Sequence, residues 1–180
     1  MPLLNSVTTP YAEALLQVVN ENDQTEQMVL EVKQLLSLIN DSPELGQVLS
    51  SPILETESKK KVLVEIFSDK INSSLLNFLK LLSDRKRIGI VTSILDRFLE
   101  IYRENSNIAL ATVTSAVELT DDQKGLITKK IINIAGTEKL ELVTKIDPSL
   151  IGGFVASVGS KVIDASLASQ IRKLGLSLSK

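Results

Sequence analysis

The chain of 180 residues contains no cysteine and no histidine. Without cysteine there can be no disulfide and no thiol nucleophile, and the redox compartment stays open because a cysteine-free chain tolerates either. Without histidine the usual general base near neutral pH is missing, and the two absences together remove most zinc sites. We therefore expect no metal and no cofactor.

The chain is also poor in aromatic residues, which make up 3%, and in net charge, which is −2. A core must be built mainly from aliphatic side chains, and no global field favours nucleic acid or an anionic membrane. The basic clusters Lys59-Lys60-Lys61 and Arg85-Lys86-Arg87 have no interleaved aromatic residues on which bases could stack, and the first is expected on a solvated helix face. No binding to nucleic acid is expected.

No apolar run approaches the ~20 residues of a membrane span. Residues 1–9 lack the basic and apolar regions of a secretory signal, and they are not Arg-rich like the leader of an imported organelle protein. If the protein works at a membrane, we expect another subunit to hold it there, so that contact with the membrane is indirect.

Helical periodicity dominates residues 1 to about 105. Thr9 followed by Pro10 indicates the start of the first helix, because the hydroxyl can cap and the proline needs no amide. Asp41 or Ser42 can cap a third helix, which ends at Ser51 because a proline follows. The apolar spacing predicts six helices in all, beginning at Thr9 and covering about 22–40, the short segment up to Ser51, 56–68, 72–84 and 87–104.

From about residue 106 strands alternate with helices. Thr120 and Gln123 have the spacing of a capping box, and Gly159-Ser160 is a two-residue turn of the kind that hairpins favour. The predicted elements are a strand over Ile108–Leu119, a helix to about Ala135, a strand over 140–146, a hairpin of 154–158 and 161–164, and a last helix from about Ala165. The predicted fold class is mainly α, with an N-terminal six-helix bundle over 1–105 followed by a small C-terminal α/β module over 106–180.

Few residues could form a catalytic site. Gly152, Gly153 and Gly159 are too irregularly spaced for a dinucleotide-binding loop and lead into a strand, so they indicate tight turns and close packing. Asp147 and Asp164 could be proposed as a pair of acid/base carboxylates. Asp147 precedes a proline and Asp164 precedes a helix, and both positions suit aspartate for local hydrogen bonds. We predict no catalytic residue.

Two helices offer apolar surfaces to partners. The first helix has two apolar stripes, whereas a helix with one buried face needs only one. One stripe is Tyr11, Leu15 and Val18, and the other is Ala12, Leu16 and Val19. A central position in the bundle would explain both stripes equally well. The last helix has a narrow seam that could accept another helix or cover its own sheet, formed by Leu167, Ile171, Leu174 and Leu178.

Three stretches carry a more specific pattern. They are Pro10-Tyr11-Ala12-Glu13-Ala14-Leu15; Asn77-Phe78-Leu79 through Arg85, Arg87 and Phe98 to Thr112-Val113-Thr114-Ser115-Ala116; and Ile146–Phe154 continued by Val158–Ser166. In this order they resemble the ATP synthase delta family, especially its cyanobacterial and plastid form. The mitochondrial oligomycin-sensitivity-conferring protein belongs to the same family. The resemblance identifies Asp147, Gly152, Gly153, Gly159 and Asp164 as structural signature residues, and the chain departs from the family pattern at Ala156 and Ser157.

The resemblance implies a non-catalytic stator subunit of a proton-driven rotary ATP synthase. In that family the N-terminal bundle binds the N-termini of alpha subunits and the C-terminal module binds the b-type peripheral stalk, so that the catalytic head does not rotate with the rotor. The alpha-facing surface is then expected on the exposed stripe of the first helix, with help from the fifth helix. The residues of that stripe are Tyr11, Ala14, Leu15 and Val18. The opposite stripe of the first helix is the alternative. The stalk-facing surface is expected at Leu167, Ile171, Leu174 and Leu178.

Two other hypotheses remain open at this stage. A generic helical adaptor would bind peptides without affinity for alpha-subunit termini, and a hydrolase using Asp147 and Asp164 would lose turnover in either Asp→Asn variant. The preference for Lys over Arg and the abundance of Ile, Asn and Ser suggest AT-rich coding. With the resemblance, this predicts a plastid or cyanobacterial protein, peripheral on the stromal or cytoplasmic side of the thylakoid membrane.

Overall fold

The computed structural model describes residues 2–21, 24–68 and 70–178, with side chains described from residue 5 to residue 172 except at 135. The chain divides into two compact units, Met1–Tyr102 and Arg103–Lys180. The first unit is helical and the second contains the sheet, so a mainly helical chain with a small C-terminal sheet is confirmed. None of the helices in the described ranges combines the length and the hydropathy of a membrane span.

The first unit is built from helices joined by short connections. Six α-helices and one 3-10 helix, Ile88–Ile90, begin in the described part of this unit, and the α-helices are α1 Pro2–Glu21, α2 Thr25–Asp41, α3 Pro43–Ser50, α4 Thr56–Phe67, α5 Ser73–Asp84 and α6 Val91–Asn105. Proline in the first turn of α3 needs no amide partner there, and Ser51 before Pro52 leaves the helical conformation as predicted.

A single hydrophobic core holds these helices together. As the composition predicts, it is largely aliphatic, with Phe67 and Phe98 among its largest fully buried side chains. Every helix of the unit contributes, so removing any one of them would expose apolar area on the others. The buried members are Ala12, Leu15, Leu16, Val19, Met28, Val29, Val32, Leu35, Ile39, Leu45, Leu49, Leu63, Phe67, Leu75, Leu79, Leu82, Ile88, Val91, Ile94, Leu95, Phe98, Leu99 and Ile101.

The predicted start of the first helix is wrong. α1 already begins at Pro2, so Thr9 does not cap it and Pro10 lies in its interior, where the ring cannot donate a helical hydrogen bond. Tertiary contacts outweigh this local signal. Thr8 is buried with 1% exposure, and Oγ1 of Thr9 accepts a hydrogen bond of 3.3 Å from Nε of Arg97 in α6.

A buried carboxylate organises the start of α5, and no local sequence pattern indicates this contact. Glu31 of α2 is only 9% exposed, and its Oε2 accepts the backbone N–H of Asn72 at 2.8 Å while its Oε1 accepts from Gln27 at 2.9 Å. Asn72 in turn caps α5, because its side-chain oxygen accepts the N–H of Ser74 at 2.9 Å. At α3, Ser42 occupies the N-cap position, one of the two predicted residues. Its side chain forms no capping hydrogen bond.

The cluster at residues 59–61 is not simply a solvated helix face. Nζ of Lys59 donates to the carbonyl of Leu49 at 2.8 Å. Nζ of Lys60 pairs with Asp84 of α5 and with Glu57, and these partners, Asp84 first, raise the pKa of Lys60. Two of the three lysines therefore tie α4 to neighbouring segments.

The second unit is a four-stranded mixed sheet with two helices. Its elements are β1 Ile108–Ser115, α7 Asp121–Ala135, β2 Lys139–Ile146, β3 Phe154–Val158, β4 Lys161–Asp164 and α8 Leu167–Leu178. The strand order is β2-β1-β3-β4, with β1 and β2 parallel and the other pairs antiparallel. A parallel pair needs a crossover connection, and α7 provides it.

Local signals in this unit agree with the structure. The capping box of Thr120 and Gln123 is present, and Gly159 adopts φ +56° in the hairpin turn. The first strand is shorter than predicted and ends at Ser115, whose hydroxyl donates to the carbonyl of Val117 at 2.7 Å. A small core lies between α7 and the sheet, formed by Ala111, Val113, Ile127, Ile131, Ala156 and Val158.

Replacing Glu31 with Ala should lower the free energy of unfolding by about 1–3 kcal/mol, because the N–H of Asn72 loses its acceptor. Glu31→Gln keeps an acceptor oxygen and should lose less. The matched control is Glu65→Ala, an exposed acid of α4, expected to change stability by less than about 0.5 kcal/mol. Urea unfolding followed by circular dichroism measures all three, and equal losses for Glu31→Ala and Glu65→Ala would contradict the assignment.

Candidate partner-binding surfaces

The two aspartates that could have formed a catalytic pair are both engaged in local backbone hydrogen bonds. Oδ1 of Asp147 accepts the N–H of Ser149 at 2.9 Å, and the Ser149 side chain, followed by this backbone bond, lowers the pKa of Asp147. Asp164 accepts the N–H of Ser166 at 2.9 Å and the hydroxyl of Ser169. Each carboxylate therefore shapes a turn or a helix start. Among the residues that the structure describes, no three potential metal-ligating side chains cluster.

A pair of glycines fixes the start of α8 against the loop that precedes β3. The carbonyl of Gly152 accepts the N–H of Leu167 at 3.0 Å, and the N–H of Ala165 donates to the carbonyl of Phe154 at 2.9 Å. A Cβ on Gly152 would meet Cδ1 of Leu167 at 2.6 Å, and one on Gly153 would meet the carbonyl oxygen of Ala165 at 2.3 Å. The backbone of Gly153 also has φ +78°, which disfavours any side chain.

The N-terminus of α8 is capped from the same junction. The hydroxyl of Ser166 accepts the N–H of Ser169 at 3.3 Å, and Ser166 itself is only 4% exposed. Together with Asp164 and the carbonyl of Gly152, it satisfies amide groups that a helix start leaves without intrahelical partners. The signature residues on both sides of β3 thus determine where α8 begins.

The described half of the predicted stalk-facing seam is exposed. Leu167 is 44% exposed and Ile171 is 63% exposed, although both are aliphatic. The side chains of Leu174 and Leu178 lie outside the described residues. Within the described part of the chain, Ile171 is therefore not covered by the sheet of its own unit, which leaves this end of α8 available for a partner.

The predicted alpha-facing stripe is divided by the structure. Leu15 was expected on the exposed stripe, but it is buried with 3% exposure, together with the alternative stripe of Ala12, Leu16 and Val19. Since successive helical residues turn by about 100°, Leu15 lies closer to Ala12 and Val19 than to Ala14. Leu15 and the alternative stripe thus form one broad buried face of α1.

The rest of that stripe forms an apolar strip on the outer side of α1. Ala14 is exposed, Val18 is 47% exposed, and Tyr11 is half-buried and packs against the core. On α5, Leu81 is 46% exposed. These exposed positions lie on the surface of the first unit, and Leu15 is not among them.

These features define a class of protein. Two compact units expose apolar helix faces, and Asp147 and Asp164 are held by local hydrogen bonds, so the chain has the surfaces of a structural subunit of a larger assembly.

Comparison with known proteins gives the family. The sequence model of the ATP synthase delta (OSCP) subunit family matches residues 7–178. The chain is 91% identical over 180 residues to the ATP synthase subunit delta of Prochlorococcus marinus subsp. pastoris strain MED4, covering 100% of both chains. It is 55% identical to that of Prochlorococcus marinus strain MIT 9303, covering 100% of this chain and 99% of the relative. A chain in the cryo-EM structure of the Toxoplasma gondii mitochondrial ATP synthase hexamer has the same fold, with a TM-score of 0.71 at 20% identity over 96% of this chain and 97% of that chain.

The chain belongs to the ATP synthase delta (OSCP) subunit family, and it is a structural rather than a catalytic subunit. The resemblance found in the sequence is thereby confirmed. Both relatives named above are cyanobacterial, which supports the cyanobacterial alternative for its source.

Replacing Gly153 with Ala should destabilise the second unit by at least about 2 kcal/mol, because the left-handed backbone and the contact with Ala165 both oppose a Cβ. The control is Gly125→Ala in α7, where a Cβ meets nothing within 4 Å and stability should rise by about 0.5–1 kcal/mol. Amide hydrogen exchange in β3 and α7 measures both variants. Unchanged protection in Gly153→Ala would show that the junction does not control the unit.

Proposed function

We propose that this chain is the stator link of a proton-driven rotary ATP synthase, joining the alpha subunits of the catalytic head to the b-type peripheral stalk. The observation that supports this most strongly is the presence of two separate units, each with an exposed apolar helix face, in a chain of this family. The link resists rotation of the head while the rotor turns. It needs binding strength and stiffness, not chemistry.

On the first unit, the proposed occupant is an N-terminal helix of an alpha subunit. Tyr11, Ala14 and Val18 form an apolar strip that a partner helix can cover, in the helix-in-groove manner. α1 carries Glu13 and Glu21 and no basic residue, so its charge favours a partner helix with Lys or Arg beside its apolar face.

Val18→Asp should weaken binding of an alpha-subunit N-terminal peptide by at least about tenfold, because a carboxylate would be buried without a partner. The matched control is Leu30→Asp on α2, where the replaced side chain is 61% exposed on another helix and binding should not change. Calorimetry on the full-length chain gives both affinities. No saturable binding by the unaltered chain would remove the alpha-facing assignment and favour a generic adaptor.

On the second unit, the proposed occupant of the α8 seam is the membrane-distal end of a b-type stalk subunit. Leu167 and Ile171 would be its described anchors, with Leu174 and Leu178 continuing the seam in sequence. The glycine junction supports this role, because it fixes the first turn of α8 by backbone hydrogen bonds and leaves less freedom to be lost on binding.

Ile171→Asp should weaken binding of a peptide copying that stalk segment by at least about tenfold. Val162→Asp is the matched control, since Val162 of β4 is 66% exposed but lies outside the seam. Fluorescence anisotropy with a labelled peptide measures both variants. Equal weakening by the two substitutions would place the stalk contact elsewhere.

Two binding units on one chain also give avidity. Once one unit is bound, the other is held near its partner at a high effective concentration, so modest single affinities suffice. We place the protein on the periphery of the thylakoid membrane, on the cytoplasmic side, held there through its partners. The hydrolase hypothesis gains no support, because Asp147 and Asp164 are used in local hydrogen bonds.

A further inference from the structure

The second unit has an apolar groove. The described residues that line it are not among those predicted from the sequence to bind partners. It measures about 690 Å³ and lies between α7 on one side and the segment 151–154 on the other, beyond the end of β1. Ser115, Ile127 and Phe154 are among its lining residues. Leu167 and Ile171 of the α8 seam are not among its lining residues.

Three aliphatic side chains stand exposed around this groove. Val117 is 69% exposed, Leu126 is 65% exposed and Ile151 is 77% exposed. Single exposed aliphatic residues are common on proteins, but a cluster lining one concave surface marks an interaction site. Burial of these side chains by a partner would remove apolar surface from water and so favour binding.

The charge around the groove selects the kind of partner. Lys129 and Lys130 line it from α7, whereas none of the lining residues that the structure describes is acidic. Neither ammonium group forms a salt bridge within the described part of the chain. An occupant with carboxylates next to its apolar residues would therefore be favoured over a basic one.

The walls of the groove are held by hydrogen bonds to backbone carbonyls. The hydroxyl of Ser115 donates to the carbonyl of Val117, and the N–H of Asp147 donates to the carbonyl of Ser115 at 2.9 Å. On the other side, the carbonyl of Gly152 accepts from the first residue of α8. A groove formed in this way needs little ordering when a ligand enters.

We propose that this groove binds an amphipathic helical segment of a partner protein, with its apolar face against Leu126 and Ile151 and its carboxylates beside Lys129 and Lys130. It is a second binding site on the unit, on residues other than Leu167 and Ile171, the described members of the α8 seam. The proposal does not depend on the function assigned to that seam. If both sites are used in one assembly, the second unit makes two separate contacts in it, and the two contacts strengthen each other.

The test uses the full-length chain and a synthetic helix-forming peptide of about 15 residues, with leucines along one face and glutamates on both sides of them. A matched peptide carries lysines in place of the glutamates. The acidic peptide should bind more tightly, and its NMR shift changes should cluster at Val117, Leu126 and Ile151. Absence of binding, or equal binding of the two peptides, would overturn the proposal.

Variants on one helix identify the site. Leu126→Asp should weaken the acidic peptide by at least about tenfold, whereas Ile134→Asp should not, because Ile134 is 51% exposed on the same helix but does not line the groove. Both positions are exposed, so circular dichroism should show an intact fold. Equal weakening by the two substitutions would contradict the groove.

Charge reversal and the α8 seam complete the test. Lys129→Glu combined with Lys130→Glu should reverse the preference between the acidic and the lysine peptides. Ile171→Asp should leave binding of the acidic peptide unchanged, so that failure of the groove and failure of the stalk assignment are distinguishable. Self-association that Leu126→Asp abolishes would instead make a second copy of the chain the occupant and overturn the proposal.

Discussion

The close approach of two backbone segments at Gly153 is the constraint on which the second unit depends. The carbonyl of Ala165 occupies the space where any other residue would place its Cβ, and the neighbouring carbonyl of Gly152 receives the first N–H of α8. This one contact determines where α8 starts and how β3 is entered. It also forms one wall of the apolar groove, since Gly152 and Gly153 both line it. The proposed stalk-facing seam and the proposed groove thus share this junction.

In the first unit, a side-chain carboxylate rather than a pair of glycines fixes the start of a helix. Its core is almost wholly aliphatic, and aliphatic packing is strong but has little directional preference. Glu31 supplies direction, because its carboxylate accepts the N–H of Asn72 and so relates α2 to the start of α5. Breaking a part-buried hydrogen bond of this kind leaves a donor without its acceptor. We infer that this contact helps to hold α5 in register with the rest of the unit.

A stator needs surfaces and stiffness, and the composition of the chain agrees with that need. Cysteine and histidine are absent, and Asp147 and Asp164 shape a turn and a helix start. Apolar side chains are left exposed instead on α1, on α8 and around the groove of the second unit.

The sequence by itself determined which segments are helices and strands in most of the chain, because apolar periodicity, the capping box at Thr120 and the hairpin turn at Gly159 are local signals. The signature around Gly152 and Gly153 was enough to indicate the family. Only the tertiary structure decided that α1 continues through Pro10, that Leu15 faces the core, and that Glu31 reaches Asn72. These outcomes depend on which elements meet in space, and no local pattern contains that information. The sequence does not indicate the groove beside α7 for the same reason, because its lining comes from separate segments of the chain.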